Sequence, residues 1–213
     1  KDSLKIINLT GDVSNILVDG NNWKITNKPT PGSKNGDGYI GRLPQPKISF
    51  EKGRVVIIDT NNAVIRYTTN NKFPDLKSKI YSTTEPINID KTTVIKAIAY
   101  KDGYIPSFCK SELFRVDEPD TKLPIVSISS DSLELWGEYG ILHERNLRIS
   151  PKINSSFNFY SKNENISQNI KIRLHGNNSR YYPQKSFRLF ADEKMENNSF
   201  VNKFFNSSIK NYR

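Results

Sequence analysis

The chain has 213 residues, 35% of them hydrophobic and 11% aromatic, with a mean hydropathy of −0.63; that length fits one to three domains, and the aromatic share still supports folded cores. The 32 Lys and Arg against 22 Asp and Glu give a formal charge of +10, and the single cysteine, Cys109, excludes an intrachain disulfide framework and a zinc site built from paired cysteines. There is no run of about 18 apolar residues, so nothing here reads as a membrane-spanning helix, and no signal peptide is visible.

Strand signals run along most of the chain. Alternating or β-branched stretches occur at Leu4–Leu9, Ile16–Val18, Val55–Ile58, Val64–Thr69, Thr93–Tyr100, Ser111–Val116, Ile125–Ser129, Ser155–Tyr160, Ile170–His175 and Ser186–Ala191. Turn residues separate them: Asp19-Gly20-Asn21-Asn22, Asn61-Asn62, Asn70-Asn71, Lys101-Asp102-Gly103 and Gly176-Asn177-Asn178. Helical periodicity is weak, apart from a short helix expected at Ser199–Phe205 with Phe200, Val201, Phe204 and Phe205 on one side. The pattern predicts a mainly β protein with antiparallel sheets.

Two stretches read as linkers, Pro29–Pro46, rich in Pro, Gly and Asn, and the acidic, proline-bracketed Glu118–Pro124. They divide the chain into an N-terminal piece of residues 1–35, a linker 36–45, a module at 46–117, a second linker 118–124 and a C-terminal part at 125–213. The chain opens at Lys1 and stops at Arg213, and it reads as an internal piece of a longer polypeptide.

Charge is distributed unevenly over these parts. Residues 1–44 carry six basic and four acidic groups, 45–117 twelve and eight, 118–140 one and five, and 141–213 thirteen and five. The basic last third reads either as a Lys-rich solvated surface or as a site for an anionic ligand, such as nucleotide phosphates or anionic polymers. It has no nucleic-acid motif and no basic helix, so nucleic acid is not expected as a partner.

In the middle module, Ile65, Tyr67 and Thr69 alternate with Val64, Arg66 and Thr68, and Val94, Lys96, Ile98 and Tyr100 alternate with Ile95, Ala97 and Ala99. A period of two with one buried face is what a sandwich strand needs. No acid pair and no His or Cys cluster lies on these strands, so the module offers no catalytic chemistry. Tyr67, Tyr81, Tyr100 and Tyr104 read either as ordinary core and edge aromatics or as a sugar-stacking platform. Cys109, inside the alternation Phe108–Phe114, reads as a small buried hydrophobe. Asn-x-Ser/Thr triplets at Asn154, Asn177 and Asn206 are expected by chance in so Asn-rich a chain.

Three resemblances follow from motifs. Ala63–Asn70, Tyr81 to Pro86-Ile87-Asn88-Ile89, and Thr92–Tyr100 with Gly103-Tyr104-Ile105-Pro106-Ser107 resemble the chitobiase/β-hexosaminidase C-terminal domain family. That resemblance implies an immunoglobulin-like or fibronectin-III-like antiparallel β-sandwich, an accessory spacer and not a hydrolytic domain. Asn22-Trp23-Lys24 with Pro29-Thr30-Pro31-Gly32-Ser33-Lys34-Asn35 resembles the close of bacterial lamin-tail domains. Leu123–Ser129 with Leu135-Trp136, then Ile170–Arg180 and Pro183–Leu189, resemble the opening of the CotH family of spore-coat kinases.

The CotH resemblance implies a β-rich partial N-lobe and an atypical protein kinase using ATP and Mg2+ or another divalent metal. It places Lys185, Arg173, Gly176, Ser179, Arg180 and Arg188 around the nucleotide, with the glycine turn offering backbone N–H groups and Lys185 a point charge for phosphate. The alternative is that these charges face solvent, with Arg180 and Lys185 fixing a loop. His143 and His175 read as structural. No metal ligands stand out, and the acids after Arg188 are Asp192, Glu193 and Glu196 in a Lys- and Asn-rich loop. The expectation is a fragment of a secreted or surface bacterial protein that transfers no phosphate by itself, with protein substrates, coat components or carbohydrate as partners. The competing expectation is a non-catalytic adhesion or carbohydrate-binding protein with Ig-like spacers.

Overall fold

The computed structural model describes residues 13–19, 22–51, 54–58, 61–85, 87–119, 121–144, 147–162, 165–191 and 199–200. The expected strand at Leu4–Leu9, most of the helix expected at Ser199–Phe205, and Asp192, Glu193 and Glu196 lie outside these residues. The described part is mainly β, and all its strand ladders are antiparallel.

The first hairpin pairs β1 (Ser14–Asp19) with β2 (Asn22–Thr26), with a bulge between Leu17 and Asp19. Ile16 and Ile25 are its buried apolar residues, with Thr26 buried beside them, and Ile25 exchanges two main-chain hydrogen bonds with Tyr39. Gly38 between them has φ +62°, and a Cβ there would come within 2.9 Å of both Ile16 and Lys24. A glycine is therefore what lets the following segment lie against the hairpin. That segment, inside the stretch expected as a linker, is laced to the next module: Ile40 N–H donates to Gly103, Ile105 N–H to Gly41, and Leu43 N–H to Ile105, all at 2.9–3.0 Å.

The middle module is an Ig-like sandwich. One sheet pairs β3 (Lys47–Glu51) with β4 (Arg54–Ile58); the other has the order β6 (Lys79–Ile80), β5 (Val64–Thr68), β7 (Thr93–Tyr100), β8 (Lys110–Phe114). Between them lie Ile48, Val55 and Ile57 from the first sheet, Ile65, Ile95 and Ala97 from the second, and Ile87, which bridges to Val55. Burying each such branched side chain stabilises the fold by about 1.5–3 kcal/mol.

The C-terminal part is one four-stranded sheet in the order β12 (Ser186–Ala191), β11 (Asn165–His175), β10 (Ile153–Tyr160), β9 (Ile125–Ser129). Strand alternation gives its two faces different character. Ile153, Phe157, Ile170, Ile172, Leu189 and Ala191 share an apolar face. Ser127, Ser129, Ser156, Asn158, Asn169 and Arg173 lie on the polar one.

The apolar face is capped by a helix that periodicity did not announce. Helix α1 (Ser132–Trp136) begins at Asp131, whose carboxylate accepts from Leu133 N–H at 3.0 Å. The helix and the turn after it place Leu135, Ile141 and Leu142 on the core, beside Phe200, whose ring meets Phe157 edge-on at 5.9 Å. The legible signal was the cap: Asp131 followed three residues later by Glu134 matches a capping pair. At five residues the helix is too short to show a period.

Candidate functional site

The two modules meet through a polar seam. Strand β8 lies on the polar face of β10 and β11, where the Asn158 amide donates to the Ser111 carbonyl at 3.0 Å and Ser167 Oγ donates to the same carbonyl at 2.8 Å. Asn169 donates to the Cys109 carbonyl at 2.6 Å. The Tyr160 hydroxyl donates to Glu112 at 2.9 Å and accepts from Leu113 N–H at 2.8 Å. Burial pushes the Tyr160 phenol well above its usual pKa, with the Glu112 carboxylate adding to the shift and the Leu113 N–H opposing it.

Lys96 stands at the centre of this seam. It pairs with Ser111 across the β7–β8 ladder, and its side chain is fully buried. Its amine donates to the Asn71 carbonyl at 2.8 Å and the Ser129 carbonyl at 3.2 Å, and lies 4.2 Å from the centre of the Phe73 ring. Burial lowers its pKa to about 8, against the opposing pull of Cys109, Glu134 and Asp131. Ser129 Oγ donates to Asn71 Oδ1 at 2.9 Å, and Lys72 and Asp131 are 3.8 Å apart at the rim. Sequence reading placed Lys96 on the face opposite Ile95 and Ala97; the Asn71–Phe73 loop and the end of β9 together turn that face into an interior.

The residues expected around a nucleotide fall into two groups. Gly176, at φ +98°, opens a 3-10 turn over Asn178–Tyr181, and a Cβ on it would stand 2.0 Å from Ser179 Oγ. Arg180 donates to the Leu147 and Arg148 carbonyls at 3.4 and 3.1 Å, and the Lys185 amine donates to the Arg180 carbonyl. Gly176, Ser179 and Lys185 are thus held by the turn they build, and Arg180 ties that turn to the Leu147 and Arg148 carbonyls. Arg173 and Arg188 instead pair directly across β11 and β12, on the polar face.

Among the described residues, no three His, Cys, Asp or Glu side chains gather to hold a metal ion. His175 is exposed at the end of β11, and Cys109 is buried within the seam.

The four tyrosines do not form one platform. Tyr67 and Tyr81 pack edge-on, 83° apart at 6.4 Å, against the sandwich core. The Tyr100 hydroxyl donates to the Pro74 carbonyl at 3.2 Å, and Tyr104 lies 5.7 Å from the Lys101 amine. Tyr67 alone of the four lines an open cleft of about 490 Å³ between β5 and the loop that follows it. Phe73 adds a second ring there, and Asn70, Lys77, Lys79 and Asn88 add polar groups. An aromatic wall beside amide and amine donors is chemistry suited to a sugar.

No helix among the described residues is long and apolar enough to cross a membrane. No curated protein and no solved structure matches the chain significantly. Residues 46–111, which form most of the Ig-like sandwich, match the family model of the chitobiase/beta-hexosaminidase C-terminal domain.

Proposed function

We propose that this chain is a non-catalytic, carbohydrate-associated part of a secreted or cell-surface bacterial protein, in which the sandwich is a rigid spacer and the cleft beside Tyr67 contacts glycan. The observation that carries this reading is the family match over 46–111, on a module whose strands hold no acid pair and whose outer face is sealed to the next sheet through Lys96 and Ser111. A spacer must transmit orientation, and a buried polar seam resists bending more than a flexible linker does.

Binding of the full 213-residue chain to an array of neutral and acidic glycans tests this, with Tyr67→Ala as the comparison. Retention on at least one glycan class, weakened about 10-fold or more by Tyr67→Ala, is the expected result. No retention on any glycan would refute the reading.

The protein-kinase reading of residues 125–213, with ATP, Mg2+ and protein or coat substrates, rests on the CotH motif resemblance. It has less support, because the Lys185 amine is engaged with the Arg180 carbonyl of its own turn and the Arg180 guanidinium with the Leu147 and Arg148 carbonyls. Transfer of labelled phosphate from ATP to a protein acceptor by this chain would favour it instead.

A further inference from the structure

The seam covers only part of the polar face of the C-terminal sheet. Asn158 and Asn169 lie under the sandwich, while farther along β11 and β12 the same face carries a cluster built on Phe190. The Lys152 amine is 4.1 Å from the centre of that ring, and the Arg173 and Arg188 guanidinium carbons are 5.5 and 5.3 Å from it. Lys152 and Arg188 are exposed, and Arg173 and Phe190 are half-buried.

Three cations around one phenyl ring repel one another. Such a group is ordinarily relieved by carboxylates, yet among the described residues none of the three is in an ion pair. The Arg173 Nε is buried and has no hydrogen-bond acceptor. The ring itself supplies only a weak cation–π attraction. Its more important effect is to hold the three heads in place, so less side-chain freedom is lost when an anion arrives. Two guanidinium forks and one amine suit oxyanions, and their grouping on one sheet face, with Lys152 and Arg188 exposed, suits a chain carrying repeated negative groups.

We propose that Lys152, Arg173 and Arg188, organised by Phe190, form a binding surface for an acidic polysaccharide bearing repeated oxyanion groups, either uronate carboxylates or phosphodiesters. This deepens the carbohydrate reading above and rests on it. It places the charged contact on the C-terminal sheet, away from the cleft beside Tyr67.

The test is affinity electrophoresis of the full 213-residue chain through gels containing polygalacturonate, a phosphodiester-bearing wall polysaccharide, or a neutral glucan. The variants are Lys152→Gln/Arg173→Gln/Arg188→Gln and, as a control of charge alone, Lys28→Gln/Lys34→Gln/Lys47→Gln, which removes three exposed cations distant from the cleft beside Tyr67. Circular dichroism establishes that both variants remain folded; if the first does not, Arg188→Gln alone, at an exposed position, takes its place.

The expected result is retardation by one or both acidic polymers that weakens with added salt, falls at least 10-fold in the Phe190-cluster variant and changes less than 2-fold in the control. Comparison of the two acidic gels identifies carboxylate or phosphodiester as the group recognised. Equal losses in both variants, or equal retardation by DNA, would mean diffuse charge and overturn the proposal. Displacement by ATP at stoichiometric ratio would overturn it in favour of a nucleotide site. Retention on neutral glucan alone would sink the acidic site and leave the carbohydrate reading standing, whereas no retention on any glycan would remove both.

Discussion

The Lys96 amine and the Ser129 carbonyl, 3.2 Å apart, join the outer face of the sandwich to the last residue of the first strand in the next sheet. A lysine on a strand's outer face ordinarily extends into water. Here the loop at Asn71–Phe73 and the end of β9 close over it, and the amine satisfies a carbonyl from each. Exchanging Lys96→Met removes a buried charge but leaves both carbonyls without that donor. We expect a loss of about 1–3 kcal/mol and separate unfolding of the two modules, read as two urea transitions in place of one.

The same amine makes stability depend on pH. Its pKa is lowered from 10.5 to about 8 in the folded state, so between those values the unfolded chain binds the extra proton. Stability therefore rises with pH across that window, by up to about 1.4 kcal/mol per pH unit. The Tyr160, Tyr67 and Tyr100 phenols, raised above 10.0 chiefly by burial, act oppositely: their contribution is lost as pH rises past 10. A stability maximum near pH 10 is expected in urea titrations, and in Lys96→Met the rise from pH 8 to 10 disappears.

Asn158 tests the polar seam. It is fully buried and both donates to the Ser111 carbonyl and accepts from the Ser111 hydroxyl. Asn158→Ala is expected to cost about 2–3 kcal/mol. A double-mutant cycle with Ser111→Ala should show a coupling of about 1 kcal/mol; additive losses would mean that the two residues act separately.

Gly176→Ala forces a side chain into a left-handed conformation and onto Ser179. A destabilisation of about 1–3 kcal/mol follows from that strain. Lys185→Met should instead loosen the turn alone, seen as faster amide exchange over residues 176–185 with the sandwich unchanged, because its amine donates to the Arg180 carbonyl within that turn. Unchanged exchange in Lys185→Met would argue against its role as a loop fastener.

Most strands were legible because apolar residues recur along one face of each. Val64–Thr68 and Thr93–Tyr100 alternate as a sandwich demands, and the structure has them as strands with Ile65, Ile95 and Ala97 inward. Lys79–Ile80, with two residues, and Asn22–Thr26, with its polar opening, carry too little alternation to be read. Helix α1 was missed for a related reason: five residues give little more than one turn, and only its cap marks it.

By itself the sequence determined which residues could face a core, because hydrophobic alternation is local and written into consecutive positions. It also marked Gly176, Arg173, Arg180, Lys185 and Arg188 as a charged glycine hairpin. Only the tertiary structure decided what those groups touch: Arg180 and Lys185 turn back to main-chain carbonyls, Arg173 and Arg188 gather with Lys152 round Phe190, and Lys96 becomes interior. Those outcomes depend on segments distant in the chain meeting face to face, and the free energy of a charge is set by what surrounds it in space, not by its neighbours in sequence.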